Sequence, residues 1–348
     1  MEIHEKYMKR CIELASNGLG YTTPNPMVGC IIVHKGVIIG EGFHREYGKA
    51  HAEVNAINSV KNPELLPHST LYVSLEPCSH FGKTPPCTDL IIQKGIKNVI
   101  IGSKDININV SGNGIEKLRK HNISVLSGIL EQECNELNKR FICYHLKKRP
   151  YIVLKWAQTA DAYIDTDRDI SKTTRPTWIT SENLKMLVHQ WRHDEQAIIV
   201  GTNTALADNP KLNIREWHGK NPIRIVIDQK LSLPKSLALF DNSIPSIIFN
   251  EKEDKVRGNS DYIKIDFNKD PENRILEILY EKQIQSLIIE GGQILLQSFI
   301  DKGLWDEARV FHGNQYFGKG KKAPEIHSNT IYNYVIENEK LSHLINEH

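Results

Sequence analysis

The chain has 348 residues, of which 40% are hydrophobic and 25% are charged. This is the composition of an average globular protein, and the length exceeds what one ordinary domain needs, so we expect two domains. No apolar run approaches the roughly 18 residues of a membrane-spanning helix. The charged N-terminal sequence MEIHEKYMKR lacks the apolar region of a secretory signal. We therefore expect a cytoplasmic protein with no membrane partner.

The charges are nearly balanced, since 44 Lys and Arg residues against 42 Asp and Glu residues give a formal net charge of +2. Proteins that bind the nucleic-acid backbone usually carry a clear positive excess, so the balance disfavours a nucleic-acid partner and favours a small molecule. All six cysteines lie in the first 143 residues. Clustered cysteines in a chain without an export signal indicate metal binding or catalysis rather than disulfides.

The first half of the chain alternates between helical and strand patterns. Apolar residues at helical spacing predict a helix over 4–17, and two apolar runs, 28–33 and 37–40, predict a hairpin. The elements predicted after the hairpin are a helix from about His51, a strand over 70–75, a helix over 88–94, a strand over 98–101, a helix over 115–120, a strand over 124–126 and a closing helix over 130–146. This alternation predicts a three-layer α/β/α domain.

The cluster Lys147-Lys148-Arg149-Pro150 ends the closing helix, because the residue before a proline disfavours helical backbone. We place the domain boundary there, so the predicted domains are 1–147 and 148–348. The second half again predicts an α/β domain, with strands over 151–155, 197–200, 223–227, 246–249 and 286–289 and helices over 182–191, 272–282 and 294–302. The last 25 residues carry no motif that predicts a function.

The strongest chemical signal is His51-Ala52-Glu53 followed by Glu76-Pro77-Cys78 and then Cys87. One imidazole and two thiolates are a recurrent zinc set, and three protein ligands leave a fourth position for a water whose pKa the metal lowers. A carboxylate at Glu53 can carry the proton of that water to a leaving amine. The order H-x-E…P-C is the signature of zinc deaminases. We predict one zinc ion held by His51, Cys78 and Cys87, with Glu53 as the catalytic proton carrier.

The spacing of the two cysteines narrows the substrate class. Eight residues separate them in CSHFGKTPPC (78–87), whereas nucleoside and tRNA deaminases usually have two. Together with TPNPMVGC (23–30), GFH (42–44) and GSKDIN (102–107), this segment resembles the bifunctional deaminase/reductase of bacterial riboflavin biosynthesis. The resemblance implies that a pyrimidine and ribose-phosphate pocket is lined by Asn25, His44, His80, Lys83, Asp105 and Asn107.

The second half lacks the G-x-G-x-x-G fingerprint, which disfavours an ordinary Rossmann dinucleotide site. Its segments VLKWA (153–157), WITS (178–181) and IVGTNT through ADNPKLNIR (199–215) resemble the reductase half of the same family. That half is similar in fold to dihydrofolate reductase and uses NADPH. The resemblance therefore implies a cytidine-deaminase-like α/β/α domain followed by a dihydrofolate-reductase-like α/β domain.

The resemblance also assigns residues to the reductase site. It implies NADPH contacts at Ala157, Trp178, Thr204, Asp208 and Gly292, and substrate contacts at Lys155, Leu212, Arg215 and Glu290. The guanidinium of Arg215 is suited to holding a phosphate. Lys155 assists proton transfer or anchors a sugar hydroxyl, and the residues leave both roles open.

One position departs from the family pattern. Where the family commonly has a serine that touches the substrate, this chain has Pro176, which supplies neither a hydroxyl nor an N–H group. Either Thr174, Arg175 or Thr177 makes this contact, or the contact is absent.

The resemblance implies two reactions. The first is hydrolytic removal of the 2-amino group of 2,5-diamino-6-ribosylamino-4(3H)-pyrimidinone 5′-phosphate, and the second is reduction of the ribosyl to a ribityl chain by NADPH. Three alternatives stay open: a nucleoside or tRNA deaminase with an unrelated C-terminal domain, a deaminase with a degenerate reductase half, and a non-enzymatic zinc-stabilised binding module. The module would need no Glu53 and would normally have four protein ligands. A homo-oligomer is compatible with the resemblance, which does not fix the number of subunits.

Overall fold

The structure, a computed structural model, describes residues 2–81, 85–106, 112–167 and 177–347. The chain divides into two compact units, Met1–Lys147 and Lys148–His348. Within the described residues, no helix combines the length and the apolar character needed to cross a membrane.

The described part of the N-terminal unit is built on a five-stranded sheet in the order β2-β1-β3-β4-β5. The strands are β1 (Gly29–His34), β2 (Val37–Phe43), β3 (Thr70–Leu75), β4 (Asn98–Ser103) and β5 (Ser124–Ser127). β1 pairs antiparallel with β2 and β3, whereas β3, β4 and β5 are parallel. The helices are α1 (Glu2–Ser16), α2 (Ala52–Asn58), α3 (Cys87–Gln93), α4 (Asn113–Lys120), α5 (Glu131–Leu137) and α6 (Lys139–Lys147), with a 3-10 helix at Pro63–His68.

Both faces of this sheet are buried under helices. α2, α3 and α4 share one core with Ile32 and Val73, while α1 and α5 share the other with the neighbouring residues Ile31 and Tyr72. Successive residues of a strand point to opposite faces, so a strand with helices on both sides is apolar throughout. The predicted α/β/α arrangement of the first half is confirmed.

Glycine lets the helices lie close to the sheet. A Cβ added at Gly29 would lie 1.9 Å from the carbonyl oxygen of Cys11 in α1. A Cβ at Gly42 would lie 2.4 Å from the backbone nitrogen of Ala56 in α2. Because α2 carries part of the predicted metal site, Gly42 sets how closely that site approaches the sheet.

The prediction of one closing helix over 130–146 is wrong, since two helices, α5 and α6, meet at Asn138. The buried Asn138 side chain accepts a hydrogen bond from Met27 N at 2.8 Å and donates one to Met27 O at 2.9 Å. This pairing holds the loop that contains Asn25. The apolar pattern continues through the break and does not predict it, and the buried contact of Asn138 with Met27 occurs at this position.

In the C-terminal unit, the described strands form a ten-stranded sheet in the order β11-β12-β10-β9-β8-β13-β6-β14-β17-β16. The strands are β6 (Tyr151–Gln158), β7 (Tyr163–Asp165), β8 (Ala197–Gly201), β9 (Ile223–Ile227), β10 (Ser246–Asn250), β11 (Lys255–Arg257), β12 (Ser260–Lys264), β13 (Ser286–Gly291), β14 (Glu307–His312), β15 (Lys321–Lys322), β16 (Thr330–Ile336) and β17 (Glu339–Ile345), of which β7 and β15 pair separately. The helices are α7 (Leu184–Asp194), α8 (Thr202–Asp208), α9 (Pro271–Glu281) and α10 (Gln293–Asp301), with a 3-10 helix at Ala238–Phe240. The central strands from β12 to β14 are parallel.

The α/β class of the second half is confirmed, and the strands and helices predicted there are present with ends that differ by up to three residues. The structure adds the strands β7, β11, β12, β14, β15, β16 and β17 and the helix α8, which the sequence pattern did not predict. β14 is central but contains the fully buried Glu307, whose carboxylate accepts a hydrogen bond from Tyr151 Oη at 3.0 Å. A prediction based on apolar runs does not recognise a core strand that contains a buried polar residue.

Candidate functional site

The structure brings the three predicted zinc ligands together. Their ligand atoms all lie within 4.8 Å of one another, and no second group of this kind occurs in the described residues. His51 Nδ1 lies 3.3 Å from Cys87 Sγ and 3.6 Å from Cys78 Sγ. Tetrahedral zinc, with Zn–S near 2.3 Å and Zn–N near 2.1 Å, separates such a pair by about 3.6 Å. The donor set therefore fits zinc.

Three different elements supply these ligands. His51 immediately precedes α2, Cys78 follows the end of β3, and Cys87 is the first residue of α3. The backbone N–H of Cys87 donates to Cys78 Sγ at 3.3 Å. Hydrogen bonds from Cys87 and His51 lower the pKa of Cys78, whereas the hydrogen bond with Cys78 and burial raise the pKa of Cys87. At Cys78 the thiolate, which is the form that binds a metal, is thus favoured.

Glu53 lies in the first turn of α2 and is 3% exposed. Burial raises the pKa of Glu53 to about 7, and the negative charge of Cys78 adds to this effect. A carboxyl group with a pKa near neutrality can both accept and return a proton. Its position next to His51 fits the predicted proton carrier.

Two of the predicted substrate residues adjoin the metal ligands. The ring of His44 lies 5.3 Å from that of His51, and His44 Nε2 lies 3.1 Å from Asn25 Nδ2. His44 Nδ1 lies 3.1 Å from the carbonyl oxygen of Ala50, to which it must donate. Burial lowers the pKa of His44, so the ring is neutral and Nε2 accepts from the Asn25 amide. The imidazole orients the amide of Asn25 beside the metal site.

The structure describes two of the other four predicted pocket residues. His80 is exposed on the loop that follows Cys78, and Asp105 is half-buried at the end of the segment after β4. Lys83 and Asn107 lie outside the described residues. The substrate roles of all these residues remain predictions.

Glu76 has a structural role that the sequence analysis did not predict. Its carboxylate is 5% exposed and accepts hydrogen bonds from the backbone N–H groups of Gly112, Gly114, Ile115 and Asp105 at 3.0, 2.9, 3.1 and 3.3 Å. It thereby caps the N-terminus of α4, where a negative charge is favoured. Its place directly after a buried strand was the available signal. Through its hydrogen bond with Asp105, Glu76 connects the segment after β4 to the end of β3, shortly before Cys78.

The second site is a cleft of about 1270 Å³ in the C-terminal unit. It lies at the carboxyl ends of β6, β8 and β13, where ligands bind in open parallel sheets. The residues that the resemblance assigned to substrate or NADPH all line it: Lys155, Ala157, Trp178, Thr204, Asp208, Leu212, Arg215, Glu290 and Gly292. Their individual contacts with a ligand remain predictions.

One end of the cleft holds a buried charged group that includes Arg192, which the sequence reading did not identify. Arg192 Nε and Nη2 donate to the two oxygens of Glu290 at 2.8 and 2.6 Å. Although burial opposes it, the positive charges of Arg192 and Lys155 lower the pKa of Glu290 to about 2. Burial lowers the pKa of Lys155. Two positive groups and one carboxylate make this end electropositive, which suits an anionic substrate.

The other side of the cleft is suited to a phosphate and an aromatic ring. Gly292, with φ +86°, precedes α10, and a Cβ there would lie 3.3 Å from Thr204 Oγ1. Free backbone N–H groups at a helix start bind phosphate well. Trp178 is 50% exposed, and Lys185 Nζ lies 4.0 Å from its ring centre. An exposed tryptophan in a cleft offers a platform for a planar ligand.

Of the residues around the position where the family has a serine, the structure describes Thr177. Thr174, Arg175 and Pro176 lie outside the described residues. Thr177 lines the cleft, and its hydroxyl donates to Asp165 Oδ1 at 2.7 Å. The Thr177 proton is therefore used within the protein, and this hydroxyl has only its acceptor lone pairs left for a substrate.

Comparison with known proteins gives two domain matches. The model of the cytidine and deoxycytidylate deaminase zinc-binding region matches residues 1–103, and the model of the RibD C-terminal domain matches residues 150–334. The second unit is thus the dihydrofolate-reductase-like α/β domain that the resemblance implied. A deaminase with an unrelated C-terminal domain is excluded.

The full-length matches agree with the domain matches. The riboflavin biosynthesis protein RibD of Aquifex aeolicus is 41% identical over 327 residues, which cover 92% of this chain and 89% of that protein. RibD of Actinobacillus pleuropneumoniae is 42% identical, with 91% and 85% coverage. The crystal structure of a diaminohydroxyphosphoribosylaminopyrimidine deaminase/5-amino-6-(5-phosphoribosylamino)uracil reductase from Thermotoga maritima is 39% identical, with a TM-score of 0.89 over 99% of each chain. This chain belongs to the RibD family of riboflavin biosynthesis proteins.

Proposed function

We propose that this protein catalyses two consecutive steps of riboflavin biosynthesis, a hydrolytic deamination in residues 1–147 and an NADPH-dependent reduction in residues 148–348. The observation that carries the proposal is the presence of two candidate sites in one chain. One is the His51, Cys78 and Cys87 group beside a buried carboxyl, and the other is the cleft at the strand ends of the C-terminal unit.

The first step acts on 2,5-diamino-6-ribosylamino-4(3H)-pyrimidinone 5′-phosphate. Water adds to the ring carbon that bears the 2-amino group, and ammonia leaves, so that a carbonyl replaces the amine. Zinc, when bound, supplies a water of lowered pKa. Glu53 takes a proton from the attacking water and passes it to the departing amine. Asn25 and His44 orient the ring, and the pocket is completed by His80, Lys83, Asp105 and Asn107.

The second step reduces the opened ribosyl chain to ribityl. NADPH, when bound, supplies the hydride, and the protein orients the two reactants. Ala157, Trp178, Thr204, Asp208 and Gly292 hold the cofactor. The substrate is held on the electropositive side of the cleft by Leu212, Arg215, Glu290 and Lys155, the last of which donates a proton or anchors a sugar hydroxyl. A cleft that is lined by every reductase residue the resemblance assigned favours two activities over a deaminase with a degenerate second half.

The proposed ligands also bear on the cellular compartment. Zinc binding by Cys78 and Cys87 requires reduced thiolates, which are kept in a reducing compartment. We therefore infer that the protein works in the cytoplasm on a small phosphorylated pyrimidine.

The decisive experiment incubates the purified protein with the pyrimidinone phosphate, with and without NADPH. Ammonia should be released in both cases, and NADPH should be oxidised only after deamination. Supplying the deaminated intermediate directly tests the second step alone. If NADPH is never consumed with that intermediate, the protein is only a deaminase. If cytidine or tRNA is deaminated at a comparable rate, the proposed substrate class is wrong.

A further inference from the structure

Two histidines on α7 contact the segment that follows the cleft residues Leu212 and Arg215. His189 and His193 lie one helical turn apart and are 2% and 6% exposed. The Nδ1 atom of His189 accepts a hydrogen bond from the backbone N–H of Glu216 at 3.4 Å. The Nδ1 atom of His193 accepts one from the backbone N–H of Lys220 at 3.1 Å. Both imidazoles thus bind the backbone of residues 213–221, which we call the arginine loop.

The residues of the arginine loop belong to no helix or strand, so regular secondary structure does not hold the backbone of this loop in place. α7 provides a third attachment, since Arg192 Nη1 donates to the carbonyl oxygen of Asn213 at 3.2 Å. Within the loop, the side chain of Asn221 accepts from Ile214 N at 2.9 Å. One face of α7 therefore holds the loop on both sides of Arg215.

The fit between α7 and the loop is close. Gly219 has φ +155°, and a Cβ at this position would lie 2.4 Å from Nδ1 of His193. Any side chain there would push the loop away from the imidazole. The contact therefore depends both on the imidazole of His193 and on the absence of a side chain at Gly219.

The chemistry of the contact requires neutral rings. A protonated imidazole has no lone pair with which to accept an N–H bond. Burial lowers the pKa of His189 to about 4, with the positive charges of Arg192, Arg215 and Lys155 adding to the effect and Glu290 opposing it. At neutral pH, His189 Nδ1 is available as an acceptor.

We propose that His189 and His193 are positioning residues of the reductase, which hold the arginine loop so that Arg215 faces the substrate in the cleft. This inference rests on the proposed function, in which Arg215 binds the substrate. The histidines themselves do not touch the reacting atoms. Holding the loop in advance removes the cost of ordering it when substrate binds, so their loss acts on substrate binding more than on turnover.

The test compares two substitutions at each histidine. Leucine fills the space but cannot accept a hydrogen bond, whereas asparagine places its carbonyl oxygen near the position of Nδ1. His193→Leu and His189→Leu should each raise the KM for the deaminated intermediate roughly fivefold, as expected for one lost hydrogen bond. Their kcat and their KM for NADPH should stay within about twofold of wild type. His193→Asn and His189→Asn should restore most of the KM.

Two internal controls separate positioning from folding. Ammonia release depends on residues of the N-terminal unit, Met1–Lys147, and should be unchanged in every variant. All five tryptophans lie in 156–305, so tryptophan fluorescence reports unfolding of the C-terminal unit alone. If a leucine variant does not fold, hydrogen exchange of the wild-type protein decides, because the amides of Glu216 and Lys220 should be protected. Exchange at the rate of an unstructured peptide would overturn the proposal.

The outcomes also distinguish this inference from the proposed function. If the wild-type protein does not oxidise NADPH with the deaminated intermediate, the reductase function itself is wrong. If the wild type is active, Arg215→Ala raises the KM and both leucine variants keep the wild-type KM, then the reductase stands and the positioning role is refuted. A kcat loss without a KM change would also refute it.

Discussion

At the metal site, Cys87 contributes both its sulfur and a backbone N–H to the ligand cluster. Because a serine hydroxyl is a poorer zinc ligand than a thiolate, Cys87→Ser should lower the zinc content well below one ion per chain and reduce ammonia release in parallel. Elemental analysis measures the zinc content. Cys143→Ser, at a buried thiol outside the cluster, is the control and should keep its zinc. Full zinc retention in a Cys78→Ser/Cys87→Ser double variant would contradict the ligand assignment.

Arg192 and Glu290 form a two-pronged ion pair whose side chains are 12% and 5% exposed. Arg192→Ala leaves a buried carboxylate without its main partner, which should lower the free energy of unfolding by about 3 kcal/mol. The nearby Lys155 keeps the loss at the low end of the usual range. Urea unfolding followed by tryptophan fluorescence measures it.

The matched control for this change is Arg274→Ala. Arg274 pairs with Glu277 at 2.9 Å, but the two side chains are 47% and 61% exposed. Such surface pairs contribute less than about 1 kcal/mol, so this variant should unfold nearly as wild type does. Equal destabilisation by both substitutions would show that burial of the Arg192 pair does not matter.

The buried Lys155 predicts a pH dependence of the reduction. Burial lowers the pKa of Lys155 below the ordinary 10.5, with Arg192 adding to the effect and Glu290 opposing it. A lysine loses its proton as pH rises through its pKa, so a reaction that needs the ammonium form declines on the alkaline side before pH 10.5. The measurement is kcat/KM for NADPH oxidation with the deaminated intermediate. Lys155→Arg keeps a positive charge at every pH in this range, so its remaining reduction should lack the alkaline limb, and a wild-type limb at or above pH 10.5 would speak against the role.

At the scale of elements, Glu76 joins the end of β3 to the start of α4. Glu76→Gln replaces a carboxylate that accepts several N–H bonds with an amide that has one acceptor oxygen, so the segment should loosen by about 2 kcal/mol. Hydrogen exchange of the amides at Gly114 and Ile115 should become faster, and ammonia release should fall because Asp105 is held by the same carboxylate. Glu116→Gln, on an exposed face of α4, should change neither measurement.

At the scale of the whole molecule, the two sites should be separable, since one needs an activated water and the other a hydride donor. Glu53→Gln keeps a side chain of similar size but cannot carry the proton. This variant should bind zinc, release no ammonia and still oxidise NADPH with the deaminated intermediate. Lys155→Ala should also bind zinc, but it should release ammonia at a near-normal rate and leave NADPH unconsumed. If folded Glu53→Gln protein fails to reduce the intermediate, the model of two independent sites is wrong.

The sequence by itself predicted that His51, Cys78 and Cys87 form one metal-binding group, and it determined the identity of the reductase segments. His51 and Glu53 lie within one turn, and Cys78 comes shortly after the end of β3. Residues this close to one another or to a strand end form short motifs, which can be recognised from the sequence alone. The ends of parallel strands meet at one edge of a sheet, which is why separate motifs such as those at Lys155 and Gly292 could be expected to share a site.

Only the tertiary structure decided which polar residues pair over long distances. Arg192 and Glu290 are 98 positions apart, and Asn138 and Met27 are 111 apart. The buried Glu307 on β14 likewise has one of its partners far away in the chain, at Tyr151. Periodicity reports which face of an element is apolar, but a buried polar residue looks like a surface residue until its partner is found. A buried charge or amide is stable only where the fold supplies its hydrogen-bond partner. The tertiary structure therefore decided three features: the break between α5 and α6, the ion pair of Glu290 with Arg192, and the attachment of the arginine loop to α7.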